Sequence, residues 1–169
     1  MMQAFLGLMI FVPLIIFAQD KNQTFIDEDS GKKMLTGYCT REAFEDSAFS
    51  RWWNSEWEMY EVNDETLAPL KEKIDAITIT IVMGTWCSDS RREVPRFYKI
   101  IEKLNFPEEK IKLIAVDRDK KTESIDIEEL DINFVPTFIL YRDGEEIGRI
   151  IEAPKESLEK DMANIFNLN

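Results

Sequence analysis

Histidine is absent from this chain of 169 residues, and cysteine occurs only twice. Without histidine there is no serine–histidine or cysteine–histidine nucleophile pair, and no metal site with histidine ligands. Two cysteines cannot form a four-cysteine zinc or iron–sulfur centre within one chain. We therefore expect no metal and no cofactor, and any thiol chemistry must use Cys87 or Cys39.

Basic residues are also few in comparison with acidic ones. Lysine and arginine number 21 against 33 aspartates and glutamates, which gives a formal net charge of −12. The acidic residues are scattered along the chain, a distribution typical of a solvated surface. Such a surface repels the phosphate backbone, so we expect no nucleic-acid partner.

The N-terminal residues 1–18 carry no charged side chain and end on the small residue Ala18. This pattern predicts a secretory signal peptide that is cleaved after Ala18, and therefore an exported protein of the periplasm or cell envelope. Because no lysine or arginine precedes the apolar run, an uncleaved membrane anchor is the alternative. The run is short for a membrane-spanning helix, which needs about 20 residues.

Residues 19–63 are expected to form an N-terminal extension with short helices. The first part, 19–39, is mostly polar and predicts an extended or loosely ordered segment. A short helix is expected to follow, capped by Thr40 and reaching about Phe49.

An aromatic stripe then follows at helical spacing, formed by Trp53, Trp57 and Tyr60. Packing against a core is the favoured interpretation, and a peptide- or sugar-binding surface is the alternative.

Residues 64–169 predict one α/β domain with a mixed sheet between helices. The predicted elements, in chain order, are a helix from Asp64 that Pro69 shortens, a buried strand at 77–84, a helix after Cys87, a buried strand at 111–117, a short helix at 123–130, a hairpin turning at "RDGE", and a last amphipathic helix that starts near Pro154.

The stretch "GTWCSDSRR" places Cys87 where a strand turns into a helix. The free N–H groups and the positive end of the helix dipole favour an anion there, and the thiolate is the reactive form of cysteine. Asp89 opposes a thiolate by its charge, whereas Arg91 and Arg92 are expected to offset that opposition.

Three stretches in this order resemble the thioredoxin-like superfamily: "TIVMGTWCSDS", "IKLIAVDRD" and "FVPTFILYRDGEEIGRI". The resemblance covers residues from about 64 to 166, and the Trp-Cys-x-Asp variant is similar to exported thioredoxin-like proteins of bacterial envelopes. It implies a thioredoxin-like fold and thiol–disulfide exchange on protein or small-molecule thiols and disulfides.

The resemblance also implies roles for individual residues. Cys87 is the nucleophile, and Trp86 shields one side of its sulfur. Pro136 resembles the family's cis-proline, which faces the active cysteine. In the family this proline exposes the backbone of the preceding residue, here Val135, to an extended substrate.

The chain departs from the family pattern at two positions. Ser90 stands where the second cysteine of Trp-Cys-x-x-Cys is expected, and Ile81 stands where thioredoxins bury an acid. A hydroxyl cannot resolve a mixed disulfide. We expect Ser90 instead to donate a hydrogen bond to the Cys87 thiolate.

Three outcomes are therefore open for a mixed disulfide on Cys87. An external thiol resolves it, Cys39 resolves it, or no turnover occurs and the domain binds extended peptides or partner proteins. The leading hypothesis is an atypical monothiol oxidoreductase, and the alternative is a non-catalytic binding module. Peroxide reduction and iron–sulfur binding rank lower, because the residues around Cys87 match neither motif.

Overall fold

The computed structural model describes residues 20–167, which are built around a six-stranded mixed sheet. The strands are β1 (Gln23–Ile26), β2 (Lys33–Cys39), β3 (Ile77–Met83), β4 (Ile111–Ala115), β5 (Thr137–Arg142) and β6 (Glu145–Ile151). Their order across the sheet is β1-β2-β4-β3-β5-β6. β3 and β4 are parallel, and the other neighbouring strands are antiparallel.

The helices are α1 (Ser50–Met59), α2 (Asp64–Leu67), α3 (Ser88–Lys103) and α4 (Leu158–Ile165). In α3 the buried apolar side chains recur at helical spacing, at Val94, Phe97, Ile100 and Ile101. α2 gives way to a 3₁₀ turn at Ala68–Leu70 that contains Pro69, as expected for a proline that lacks the backbone N–H. The expected mixed sheet with flanking helices is confirmed.

The central strand β3 separates two apolar clusters, because alternate side chains of a strand point to opposite faces. Ile79 and Ile81 join the larger cluster with buried side chains of all four helices. Val82 joins the smaller cluster, which is completed by apolar residues of the segment 116–135. One face of the sheet is therefore covered by helices and the other mainly by an irregular segment.

The segment 19–39 was expected to be extended or loosely ordered, and the structure shows the extended alternative, in the form of two ordered strands. β1 and β2 form an antiparallel hairpin, and β2 pairs antiparallel with β4. Met34, Leu35 and Cys39 are buried, which fixes β2 to the core, whereas β1 is a largely exposed edge strand. The sheet therefore begins before the region that the motifs predicted.

Two predicted helices are shorter than expected. A 3₁₀ helix at Arg41–Glu45 replaces the helix that was expected to reach Phe49. Thr40 does not cap it through its side chain, because its hydroxyl instead accepts a hydrogen bond from Asn22 Nδ2 at 2.9 Å. The helix expected at 123–130 is a 3₁₀ turn at Glu128–Leu130.

The aromatic stripe packs into the core, which confirms the favoured interpretation. Trp53 is 5% exposed and stacks on Phe44 with ring centroids 4.1 Å apart. Trp57 and Tyr60 are partly buried against the same cluster.

The hairpin between β5 and β6 is also confirmed. Its two central residues, Asp143 and Gly144, have φ values of 53° and 84°. Positive φ at both positions matches the twist of the flanking strands, and aspartate followed by glycine is the sequence that adopts it readily.

The predicted signal peptide and the alternative membrane anchor fall on residues 1–18, outside the described residues. Within 20–167, no helix combines the length and the apolar character needed to cross a membrane.

Candidate active site

Cys87 follows the central strand β3 after the three turn residues 84–86 and is the N-cap residue of α3. The turn between β3 and α3 is closed by the N–H of Cys87, which donates to the carbonyl of Gly84 at 2.9 Å. A Cβ atom at Gly84 would collide with the indole of Trp86, so this turn requires glycine. The thiol of Cys87 is half-buried, and it is therefore accessible at one end of the sheet.

The thiol of Cys87 faces the segment that leads into β5. It donates a hydrogen bond to the carbonyl oxygen of Val135 at 3.1 Å. The peptide bond between Val135 and Pro136 is cis. Because Val82 of β3 pairs with Thr137 of β5, the two neighbouring strands bring the cysteine turn and the proline segment together. Three residues singled out from the sequence thus meet at one end of the sheet.

Ser90 has a different partner from the one expected. Its side chain is fully buried, and its hydroxyl accepts a hydrogen bond from the backbone N–H of Gly84 at 3.2 Å. The thiol of Cys87 bonds to Val135 instead. The hydroxyl of Ser90 therefore holds the turn rather than the sulfur, because a buried backbone donor needs an acceptor.

The charged residues that follow Cys87 form different contacts from those expected. Asp89 accepts from Arg92 at 2.6 Å, so Arg92 rather than Arg91 offsets its charge. Arg92 also contacts the buried Glu93 at 2.6 Å. Arg91 donates from Nε to the carbonyl of Thr85 at 2.5 Å and is thereby directed to the backbone of the turn.

Trp86 is held by two contacts that the sequence did not reveal. Its indole N–H donates to the carbonyl of Val116 at 3.0 Å. The guanidinium of Arg118 lies over its ring, 5.5 Å from the centroid. Arg118 in turn pairs with Asp27 of the N-terminal hairpin at 3.2 Å. These residues are far apart in sequence, so no local pattern could indicate the contact.

Cys39 lies on the opposite face of the sheet from Cys87. It is 7% exposed and belongs to the larger, helix-covered cluster, whereas Cys87 packs against the smaller one. Burial raises the pKa of the Cys39 thiol to about 12.

The register of the sheet separates the two thiols further. Cys39 is aligned with Leu113, which is aligned with Ile81 near the middle of β3. Cys39 is therefore two interstrand spacings, about 10 Å, away from β3 across the sheet. Cys87 lies still farther along the chain direction, beyond the second half of β3. A disulfide needs Cα atoms within about 7 Å, so this placement argues against Cys39 as the resolving thiol.

The thioredoxin family model matches residues 61–164. The chain belongs to the thioredoxin family. β1, β2 and α1 precede the matched region. The thioredoxin-like α/β fold predicted from the motifs is therefore confirmed.

Individual relatives agree with this membership. Thioredoxin H-type from Picea mariana is 33% identical over 96 residues, which is 56% of this chain and 72% of the relative. The mitochondrial thioredoxin-3 of Saccharomyces cerevisiae is 34% identical over 83 residues, 48% of this chain and 60% of the relative. Its oxidised crystal structure is 25% identical with a TM-score of 0.38, over 64% of this chain and 98% of the other. The family and these relatives support a thiol–disulfide oxidoreductase-like role.

Proposed function

We propose that this thioredoxin-family chain carries out thiol–disulfide exchange with protein or small-molecule substrates through the single thiol of Cys87. The observation that supports this most directly is the position of the sulfur. It is half-buried at the N-terminus of the 16-residue helix α3, and it faces the carbonyl of Val135 at 3.1 Å.

The proposed step begins with loss of the thiol proton from Cys87 to solvent. The thiolate attacks one sulfur of a substrate disulfide, a new S–S bond forms, and the old S–S bond breaks. The second substrate sulfur leaves as a thiolate and takes a proton from solvent. Ionisation also ends the hydrogen bond to Val135, whose carbonyl is then free to accept an N–H from an extended substrate.

Release of the substrate requires another thiol. The hydroxyl of Ser90 cannot attack a disulfide, and it is fully buried against the turn. Cys39 is buried on the other face of the sheet. We therefore propose that an external thiolate, from a small molecule or a partner protein, attacks the substrate sulfur of the mixed disulfide. It forms a disulfide with the substrate, and the Cys87 sulfur leaves as a thiolate.

A second candidate, a module that binds extended peptides without turnover, is favoured by exposed apolar side chains next to the proline segment. Phe134 is 53% exposed and directly precedes Val135. Ile151 is 46% exposed and pairs with Thr137, one residue after Pro136. Two large apolar side chains therefore flank the proline segment, as expected of a surface that is covered by a partner.

Covalent capture distinguishes the two candidates. Incubation with a disulfide-containing peptide should give a mixed disulfide on Cys87, detected by intact-mass and peptide mass spectrometry. The Cys39→Ala variant should capture the peptide as the wild type does, whereas Cys87→Ser should not. Added glutathione should release the peptide from the wild type. If Cys87→Ser retains full partner binding and the wild type forms no adduct, the binding module is the correct reading.

We also propose that the protein is exported, on the basis of the uncharged apolar residues 1–18. N-terminal sequencing of the protein recovered from its native cells should start at Gln19. Recovery of a membrane-bound form that retains Met1 would instead identify the segment as an anchor.

A further inference from the structure

The β1–β2 hairpin has no role in the function proposed above, yet it contacts the cysteine turn. It precedes the region that matches the family, and its strands span Gln23–Ile26 and Lys33–Cys39. Two separate contacts connect it to Thr85 and Trp86, the residues that directly precede Cys87.

The first contact passes through Arg118. Its guanidinium lies 5.5 Å from the centre of the Trp86 ring, within the range of a cation–π interaction. Arg118 also donates two hydrogen bonds to the carboxylate of Asp27. Nε donates to Oδ1 at 3.3 Å, and Nη2 donates to Oδ2 at 3.2 Å. Such a forked pair fixes the plane of the guanidinium as well as its position.

Asp27 is itself fixed by the turn of the hairpin. It is 7% exposed. Its carboxylate accepts from the backbone N–H of Ser30 at 3.1 Å and also from the Ser30 hydroxyl. Arg118, and then Ser30, hold the pKa of the Asp27 carboxyl below its usual range. The carboxylate is therefore ionised at neutral pH and continuously available to Arg118.

The second contact reaches the residue before Trp86. The backbone N–H of Leu35 in β2 donates to the hydroxyl of Thr85 at 3.2 Å, and Thr85 is 1% exposed. Arg91 of α3 binds the carbonyl of the same residue at 2.5 Å. Thr85 is thus held between the hairpin and α3. The hydrogen bonds at Thr85 fix the backbone before Trp86, and Arg118 contacts the Trp86 ring itself.

We propose that the Asp27–Arg118 pair is a positioning device that fixes the Trp86 indole beside Cys87 for contact with a substrate. This inference rests on the proposed exchange reaction at Cys87. Asp27 and Arg118 act through Trp86 and do not touch the sulfur. The hairpin, which precedes the family-matched region, therefore supplies a positioning residue, Asp27, to the proposed active site.

The test compares Arg118→Leu, Arg118→Lys and Asp27→Asn with the wild type in two reactions of Cys87. Exchange with a disulfide peptide should slow roughly five-fold in Arg118→Leu, the effect of losing a contact of cation–π strength. Arg118→Lys keeps the positive charge but lacks the planar fork, so its exchange rate should lie between those of the wild type and Arg118→Leu. Alkylation of Cys87 by iodoacetamide should not slow in any variant, because this small reagent needs no contact with Trp86.

A spectroscopic readout reports Trp86 directly. The chain has four tryptophans, which fluorotryptophan labelling resolves by ¹⁹F NMR once Trp86→Phe assigns the signal of interest. That signal should shift in Arg118→Leu and Asp27→Asn, and the other three should stay in place. Lys33→Gln is the matched control, because Lys33 lies on the same hairpin but pairs at 2.9 Å with Asp46, a residue outside the hairpin, rather than with Arg118 or Trp86.

Three results would overturn the proposal. The first is an unchanged Trp86 signal together with an unchanged exchange rate in both Arg118 variants. The second is rapid alkylation of Cys39 in the variants, which would show that the hairpin has opened and that the pair serves only stability. The third is a change in the exchange rate and in the Trp86 signal of Lys33→Gln as large as the change in Arg118→Leu. Failure of the exchange reaction in the wild type would refute the proposed function, whereas the ¹⁹F signal would still report whether the pair fixes Trp86.

Discussion

Cys39 and Cys87 carry the same side chain but lie in opposite surroundings. Cys39 is in a strand between two others, 7% exposed, and its thiol donates to the carbonyl of Gly37 at 3.5 Å. Cys87 is the half-buried N-cap residue of α3, and its thiol faces the carbonyl of Val135 on a different segment. Both described cysteines are free thiols.

The difference shows that the place in the fold, rather than the residue type, decides which thiol is accessible. Cys39, the last residue of β2, is enclosed by the helices that pack on that face of the sheet. A side chain at the point where a strand becomes a helix has solvent on one side and unsatisfied backbone N–H groups on the other. The same fold therefore protects one thiol and presents the other.

The largest expected effect is on the relative rates of alkylation of the two thiols. At about pH 8 and in the native state, iodoacetamide should modify Cys87 and leave Cys39 unmodified. A pKa of about 12 makes the Cys39 thiolate rare, so even without steric protection its reaction should be roughly 1,000-fold slower than that of an exposed free thiol.

Peptide mass spectrometry after timed alkylation measures both sites in one sample. In concentrated guanidinium the two cysteines should react at similar rates, which is the internal control. Native modification of Cys39 at a rate close to that of Cys87 would show that the contrast drawn from burial does not hold in solution.

Much of this contrast could be predicted from the sequence, because it depends on strong local patterns. The β-branched run of β3, the glycine after it and the helical spacing in α3 place Cys87 at a strand-to-helix turn. The Asp143–Gly144 pair likewise identifies the last hairpin. The meeting of Cys87 with Val135 and Pro136 was anticipated through the family resemblance, since their separation of 48 positions has no local signature.

The N-terminal strands were missed for a physical reason. β2 contains Gly37 and begins with Lys33, and β1 is an edge strand with an exposed pattern, so neither shows the alternation of a half-buried strand. Pairing of β2 with β4 is a nonlocal contact that supplies the missing burial. The direction of the Ser90 hydroxyl was also unpredictable, because it depends on the free N–H of Gly84 in the folded turn.

The next largest expected effect is on turnover. It is tested by a substitution that converts the Cys87 region into a dithiol site. Ser90→Cys places a second thiol one helical turn after Cys87. Resolution of the mixed disulfide then becomes intramolecular, and the rate of release should exceed that with about 1 mM external thiol by at least roughly 100-fold. Peptide release should also lose its dependence on added glutathione.

Single-turnover release from the preformed mixed disulfide measures this effect. Ser90→Ala is the matched control, because it removes the hydroxyl without adding a thiol, and it should still depend on external thiol. Ser90→Ala loses the acceptor for the Gly84 N–H, at a cost of about 1–2 kcal/mol in the free energy of unfolding, whereas Ser90→Cys replaces it with a weaker sulfur acceptor and should cost less. Release from Ser90→Cys that still requires glutathione would mean that the buried position cannot reach the mixed disulfide.

The smallest expected effect concerns stability at alkaline pH, and it arises from Cys39. Its folded pKa of about 12 lies above the ordinary value of 9.0, because burial disfavours the thiolate. A pKa that is raised on folding contributes stability that is fully present below the unfolded pKa and is lost as pH rises through the folded pKa. Between about pH 9 and about pH 12, this thiol should therefore lower the free energy of unfolding by about 1.4 kcal/mol per pH unit.

Urea unfolding of the wild type and of Cys39→Ala at about pH 8 and about pH 10 isolates this contribution. The partly buried Tyr60 and the buried Tyr98 also have pKa values raised by burial. Both proteins therefore lose stability at high pH, and only the difference between them reports Cys39. The wild type should lose about 1–2 kcal/mol more than Cys39→Ala over this interval. Leu35→Val, a conservative change at a buried residue of the same strand, should keep the pH slope of the wild type. An identical slope in Cys39→Ala would show that the Cys39 thiol does not titrate with the raised pKa that its burial implies.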